Sequence, residues 1–536
     1  MQRPFVQTTH GPIRGQLRGG IALFRGIPYG GRCDGESRFL PPQPAESWQQ
    51  VRDCSGNGPI AVQFGGSISG SEGLGPHFSG GQPEHFGVAD ERQSENCLVL
   101  NVLTRALPDG SAPAPGRRPV LVYIHGGGFT TGSGTLVLGG NRLVQEEELV
   151  LVGINHRLNA FGFLYLDELD ARYTGSGMAG MLDLVLALEW VRDNIAAFGG
   201  DPANVTVLGE SGGGMKISTL LAMPQAAGLF RRAVVESGSA PVGSLLPQQA
   251  TQTARVFLQR LGVSPDHLEA LAHIPTAQLL AATQPGDGYG DGLPFGPVGD
   301  SLHLAPNPSC AYRAPAQSAA IPLMVGASAE EMGVFTPPQL LRSLTWENLP
   351  QALTQASLLA EDGALHFTAQ NVPTLIRAFR QAMVQAPHRG DKQANDPARV
   401  YLQIVSMASF LGGGAFYQAM AKARQGGAPV YHYAVNYNSP LPGLPELPCA
   451  WHTADLPLQL RIVLHPQSEA LSRRMAAAVA AFARTGDPST PGLAWPAFDE
   501  RQRLTMVFDD DCRVESDPWQ PQRAALEAAG QRFFLG

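Results

Sequence analysis

Over residues 4–29 apolar and polar positions alternate around turn glycines (Gly11-Pro12, Gly15, Gly19-Gly20) and run into Phe24-Arg-Gly-Ile-Pro-Tyr29, a pattern of short antiparallel strands at a sheet edge. From Cys97 onward the pattern changes. Residues 98–103, 120–124 and 149–154 are short unbroken apolar runs, as in strands covered on both faces. Residues 204–208, 232–236, 321–325 and 429–435 read as further strands. Between them, residues 181–197 predict a helix stopped by Gly199-Gly200, and residues 468–485 a late amphipathic helix. The block 336–428 reads as mainly helical, with turn-rich interruptions from Pro387 to Pro397 and at Gly412-Gly413-Gly414. Strands alternating with helices predict an α/β fold with a doubly wound, mostly parallel sheet. The expected organisation is one domain over residues 1–536, with the 336–428 block inserted over the carboxyl edge of the sheet, where open α/β folds place their sites. Residues 55–93, rich in Gly, Ser and Pro, read as a lid or pocket wall.

Composition narrows the function classes. A chain of 536 residues with 43% hydrophobic and 16% charged residues can bury a sizeable core and is not generally disordered. A net charge of −8 gives no electrostatic case for nucleic acid or an anionic membrane as partner. No apolar run approaches the ~18 residues of a bilayer span, and the first ten residues lack the pattern of a signal peptide. Six scattered cysteines without CxxC spacing predict reduced thiols and a cytoplasmic location, with neither a metal nor a cofactor.

The chemistry centres on Asn204-Val-Thr-Val-Leu-Gly-Glu-Ser-Gly-Gly-Gly-Met215, where a β-rich run meets Ser211 and then a helix-compatible segment. A strand, tight turn and helix of this kind lift the serine hydroxyl out of the sheet, and flanking glycines let other backbones pass close to it. Ser211 alone among the serines has Gly at both −2 and +2; the bland alternative is one more glycine-rich loop in a chain with 62 glycines. A serine hydroxyl needs a base, an orienter for that base, and donors for the developing oxyanion. His125-Gly126-Gly127-Gly128-Phe129 follows a buried strand, so the N–H groups of Gly127 and Gly128, with that of Gly212, are the candidate donors.

These motifs, together with Ser94-Glu-Asn-Cys-Leu-Val-Leu-Asn-Val102, Asn155-His-Arg-Leu158 and the segment from Trp190 to Asp201-Pro202, make the chain similar to the type-B carboxylesterases, α/β-hydrolases that include cholinesterases and bacterial para-nitrobenzyl esterases. The resemblance spans most of the first 240 residues. It implies an α/β-hydrolase fold and a serine carboxylesterase whose catalytic residues come in the order Ser, acid, His. The family acid lies five residues after the glycine matched by Gly326, which is Glu331; Glu330 reads as its solvated neighbour and stays open as the alternative, because Met332 stands where the family usually has Gly. Of the five histidines that follow, only His452, in Ala450-Trp-His-Thr-Ala-Asp-Leu-Pro457, resembles the family's histidine loop, whereas His432 reads as a packed residue of an aromatic strand.

Departures from the family also carry expectations. Residues 64–93 contain no Trp, so recognition of a cationic choline group is not implied. Ala61 occupies the position of the family's cysteine partner, so the family disulfide is absent, with Cys54 or Cys33 left to approach Cys97. Gly212 and Gly214 replace common alanines, which predicts a looser helix start. The three-glycine motif is associated in the family with tolerance of bulky alcohol esters. Phe78, Phe129, Phe335 and Phe410 are candidate pocket walls, and Glu210 a shaper of the local field. The function expected is hydrolysis of uncharged, moderately apolar esters by a monomer or homodimer. The alternatives are a lipase or a carbamate, amide or xenobiotic-ester hydrolase with the same triad and, more remotely, a binding protein that has lost catalysis.

Overall fold

The unbroken aliphatic runs do form buried strands. In the computed structural model, which describes residues 3–64, 92–105, 118–239, 245–284, 293–305, 315–356, 365–385, 393–463 and 465–531, they join one eleven-stranded sheet. Its strands are β1 (Gln16–Arg18), β2 (Ile21–Pro28), β3 (Val99–Arg105), β4 (Arg118–Ile124), β5 (Val150–Ile154), β6 (Gly200–Glu210), β7 (Arg232–Glu236), β8 (Leu323–Ser328), β9 (Val430–Val435), β10 (Leu504–Phe508) and β11 (Arg513–Ser516). Their order across the sheet is β11-β10-β9-β8-β7-β6-β4-β5-β3-β2-β1. Every pair from β5 through to β10 is parallel. Antiparallel strands form both margins, β1 to β3 against β5 on one side and β11 on the other.

Alternate residues of the central strands feed two apolar layers, which is why a strand buried on both faces shows no polar alternation. Val120, Val122, Val205, Val207 and Val325 belong to one layer; Leu121, Tyr123, Leu208, Val234 and Met324 belong to the other. The first layer is completed by α1 (Ala179–Asn194), α2 (Gly212–Ala222) and α5 (Phe410–Gln425), the second by α3 (Val372–Gln385), α4 (Pro397–Ala408) and α6 (Glu469–Thr485). Asp183 of α1 is wholly buried and forks onto Arg157, accepting from its guanidinium at 2.6 and 2.9 Å and from its backbone N–H at 3.0 Å. This ties the segment after β5 to α1.

One local expectation changes. The glycines at 412–414 do not interrupt a helix; they lie inside α5, which Ser409 caps, and a Cβ on Gly412 would sit 2.5 Å from the Ser406 carbonyl oxygen, so close packing rather than a turn explains that glycine. In the Pro387 to Pro397 stretch, residues 386–392 are outside the described set, and Pro397 opens α4 behind an Asp396 cap. Strand β10, an apolar run as long as β5, was not among the expected strands, and β11, short and polar, carries no sequence signal. Cys33, Cys54, Cys97 and Cys449 are buried free thiols and Cys512 a partly exposed one, so no disulfide joins Cys97 to Cys33 or Cys54.

The chain leaves β4 for β5 on one side and returns to β6 on the other. The carboxyl ends of β4 and β6 therefore flank the crevice where the winding reverses, the usual ligand position of an open α/β sheet.

Candidate active site

Strand β6 ends at Glu210, α2 begins at Gly212, and Ser211 between them is forced to φ 55° and ψ −125°. A serine in this region costs about 1–3 kcal/mol, so the surroundings must hold it there. They do. Its N–H donates to the Glu236 carbonyl at 2.8 Å, and its own carbonyl accepts from Met215 N–H at 3.0 Å. The side chain remains partly exposed while its helix is buried.

The glycine loop after β4 lies beside this turn. Gly127 and Gly128 adopt φ +81° and +60°, and among the described residues neither N–H donates to another backbone group. A Cβ on Gly212 would stand 2.4 Å from Gly128 nitrogen and equally close to its oxygen. Gly212 therefore lets the two glycine segments touch in this arrangement. Two free donors and a third at the start of α2 can together hold a developing oxyanion.

The structure separates the two adjacent glutamates. Glu331 is fully buried, and its Oε2 bonds to His452 Nδ1. Its Oε1 accepts from Ser237 Oγ and from Ser328 N–H, each at 2.6 Å. Glu330 points elsewhere: its Oε2 pairs with Arg399 at 3.1 Å and accepts from Ala450 N–H at 3.0 Å. It is 3% exposed, so the solvated position expected for it is corrected to a buried ion pair.

With Nδ1 held, His452 presents Nε2 toward the serine turn. Nε2 lies 3.2 Å from Glu210 Oε1, close enough for an ion pair but without the alignment of a hydrogen bond. No hydrogen bond joins His452 to Ser211 among the described residues. Burial works against the imidazolium, but Glu210 and Glu331 outweigh it and push His452 up to about 9. Burial likewise pushes Glu210 up to about 8, with His452 opposing. Both shifts express one fact: the buried His–Glu pair holds its proton more tightly than free side chains would.

Of the candidate pocket residues, Phe335 stands at the site, with its ring centroid 5.2 Å from that of His452 and 36% of its surface exposed. Phe129 packs edge-on against Phe163 and, like Phe410, lies in the core. Phe78 is outside the described residues. His432 is buried between Phe416 and Phe498 and bonds Thr505, as a packed histidine should.

Sequence reasoning missed a group of buried polar residues behind the site. Asp455 accepts from Tyr433 OH at 3.1 Å and from Leu456 N–H at 3.0 Å; burial and then Glu331 push it up to about 6. Glu236 is fully buried, and burial, with Asp455 and Glu210 adding to it and Gln459 opposing, drives its pKa upward. Lys216, on α2, donates to the His125 carbonyl at 2.9 Å. Asp455 lies three residues after His452, and Lys216 is a lone cation in an otherwise apolar helix; those were the available signals.

Known proteins resemble the chain in sequence and fold. Residues 2–524 match the Carboxylesterase family. The para-nitrobenzyl esterase of Bacillus subtilis (strain 168) is 33% identical over 545 residues, covering 98% of this chain and 99% of that protein. Liver carboxylesterase 1 of Oryctolagus cuniculus is 29% identical over 532 residues, covering 94% and 89%. The crystal structure of the Geobacillus stearothermophilus carboxylesterase at pH 6.2 superposes with a TM-score of 0.76 at 33% identity, covering 97% of this chain and 99% of that one. Its fold is thus that of the α/β-hydrolases. The chain belongs to the carboxylesterase family and is a carboxylic ester hydrolase.

Proposed function

We propose that Ser211 is the nucleophile, His452 its general base and Glu331 the residue that orients the base, with Gly127, Gly128 and Gly212 as the oxyanion hole, in an enzyme that hydrolyses uncharged, moderately apolar esters. The observation that carries this reading is the buried bond from Glu331 to His452 Nδ1, which leaves Nε2 directed at the turn that holds Ser211. In the reaction His452, neutral, takes the Ser211 proton as Oγ attacks the ester carbonyl. The carbonyl oxygen becomes an alkoxide beside the glycine N–H groups. His452 then gives the proton to the departing alcohol. Water, activated by the same imidazole, breaks the acyl–Ser211 bond and releases the acid.

For proton transfer Nε2 must move from Glu210 to Ser211 Oγ, the kind of contact that tightens only once substrate is bound. The ring of Phe335 beside His452, 36% exposed, favours an apolar substrate. A cytoplasmic location belongs to the same proposal, supported by the free thiols. The test is an ester panel of graded acyl and alcohol size, run on the parent and on Ser211→Ala. Loss of turnover by a factor on the order of 10⁶ is expected. Retention of most turnover would refute the assignment.

A further inference from the structure

The helix that follows Ser211 carries a charge for which the reaction as proposed has no use. Lys216 is 0% exposed on a helix whose other buried positions are small or apolar apart from two hydroxyls. It forms no ion pair among the described residues; its Nζ donates to the His125 carbonyl and stands 5.6 Å from the Phe129 ring centroid. Burying an ammonium without a carboxylate in contact costs more than an apolar side chain of the same length would, so stability does not explain its presence. Burial lowers Lys216 to about 7, with Glu210 opposing the loss of its proton, so Nζ is a donor whether or not it carries the charge; the other titratable groups facing it are His125 and His156, whose rings stack at 4.6 Å and which burial and then Lys216 keep neutral.

Its position explains it better. His125 is the first residue beyond β4, so its carbonyl stands at the entry to the loop of Gly126, Gly127 and Gly128, whose own carbonyls are engaged at Gly126 by the His125 ring and at Gly127 by the N–H groups of Thr130 and Thr131. At the far end of that loop Gly128 rests on Gly212, the first residue of α2. Lys216, one turn further along α2, holds the near end. The helix whose N-terminus follows the nucleophile therefore grips the glycine loop at both ends.

We infer that Lys216 is a positioning residue: its ε-ammonium clamps the His125 carbonyl and so fixes the Gly127 and Gly128 N–H groups relative to Ser211. This rests on the oxyanion hole proposed above. A charge-assisted bond is stronger than a neutral one, and a donor moved slightly from an oxyanion loses much of its effect on the transition state while barely affecting substrate binding.

The test compares the parent with Lys216→Met, which keeps length and removes donor and charge, and Lys216→Gln, which keeps a donor. Active sites are first titrated with a fluorophosphonate, so that rates refer to competent enzyme only. For Lys216→Met, kcat per titrated site should fall about 10- to 100-fold, with KM nearly unchanged and affinity for a trifluoromethyl ketone reduced by the same factor. Its Tm should be equal or higher, and Lys216→Gln should recover part of kcat. A per-site kcat within about twofold of the parent, or a loss appearing wholly in KM, would overturn the inference. If Lys216→Met yields no folded protein, the same criteria apply to Lys216→Leu, which also lacks a donor. Failure of the parent itself to titrate would instead refute the assignment of Ser211.

Discussion

Glu330 and Glu331 are adjacent in sequence and both buried, yet one faces Arg399 and the other His452. Their substitution by glutamine should separate catalysis from stability. Glu331→Gln removes the acceptor that holds His452 in one tautomer and supports its cation, so kcat should fall by roughly 10²–10⁴ with little change in Tm. Glu330→Gln leaves Arg399 buried without its partner charge, so urea unfolding should show a loss of about 3–5 kcal/mol, while kcat per folded molecule changes little. The base also sets the pH profile. His452 must be neutral to act, and the two carboxylates that raise it to about 9 keep it protonated at higher pH than an ordinary histidine. The acid limb of kcat/KM should therefore lie above the usual ~6.5, and Glu210→Gln, by removing one carboxylate, should move that limb to lower pH. A parent limb at or below 6.5, or no movement in Glu210→Gln, would contradict this electrostatic picture. At this scale the sequence was most legible where the local backbone dictates the residue. Ser211 needs its turn, and the motif shows it. Phe129 and Phe410 were not legible, because an aromatic beside a motif packs into the core as readily as it lines a pocket.

Between elements, the decisive contact is that of the two glycine segments. Around a Cβ placed on Gly212 the three nearest atoms are all backbone atoms of Gly128, so no side chain can yield. Gly212→Ala should displace the loop or the turn. A fall in kcat of about tenfold or more is expected by steady-state kinetics, with KM less affected. Unchanged kcat would show that the loop accommodates the methyl group. Element types followed from the sequence for β4 to β9, because apolar residues dominate the buried part of each strand. The polar margin strand β11 and the Pro-containing hairpin of Ser439–Leu441 with Leu444–Cys449 offer no periodicity to read. The glycines of α5 look like a turn until the packing against Ser406 is seen.

Over the whole molecule, Ser211, Glu331 and His452 lie 120 and 121 residues apart; folding bonds Glu331 to His452 and sets His452 beside Glu210, the residue before Ser211. Periodicity alone foretold the α/β class; the order of the three residues came from the resemblance to a family. Buried Lys216, Glu236 and Asp455 were legible from neither, since each is an isolated polar residue in its own element until folding shows what it faces. The account stands or falls on the serine at the turn. The parent should be reacted with a fluorophosphonate, digested and mapped by mass spectrometry, with Ser211→Ala treated alongside. One adduct per chain, on the peptide containing Ser211 and absent from the alanine variant together with turnover, is the expected result; an adduct on another residue, or an alanine variant that still labels and hydrolyses esters, would contradict it.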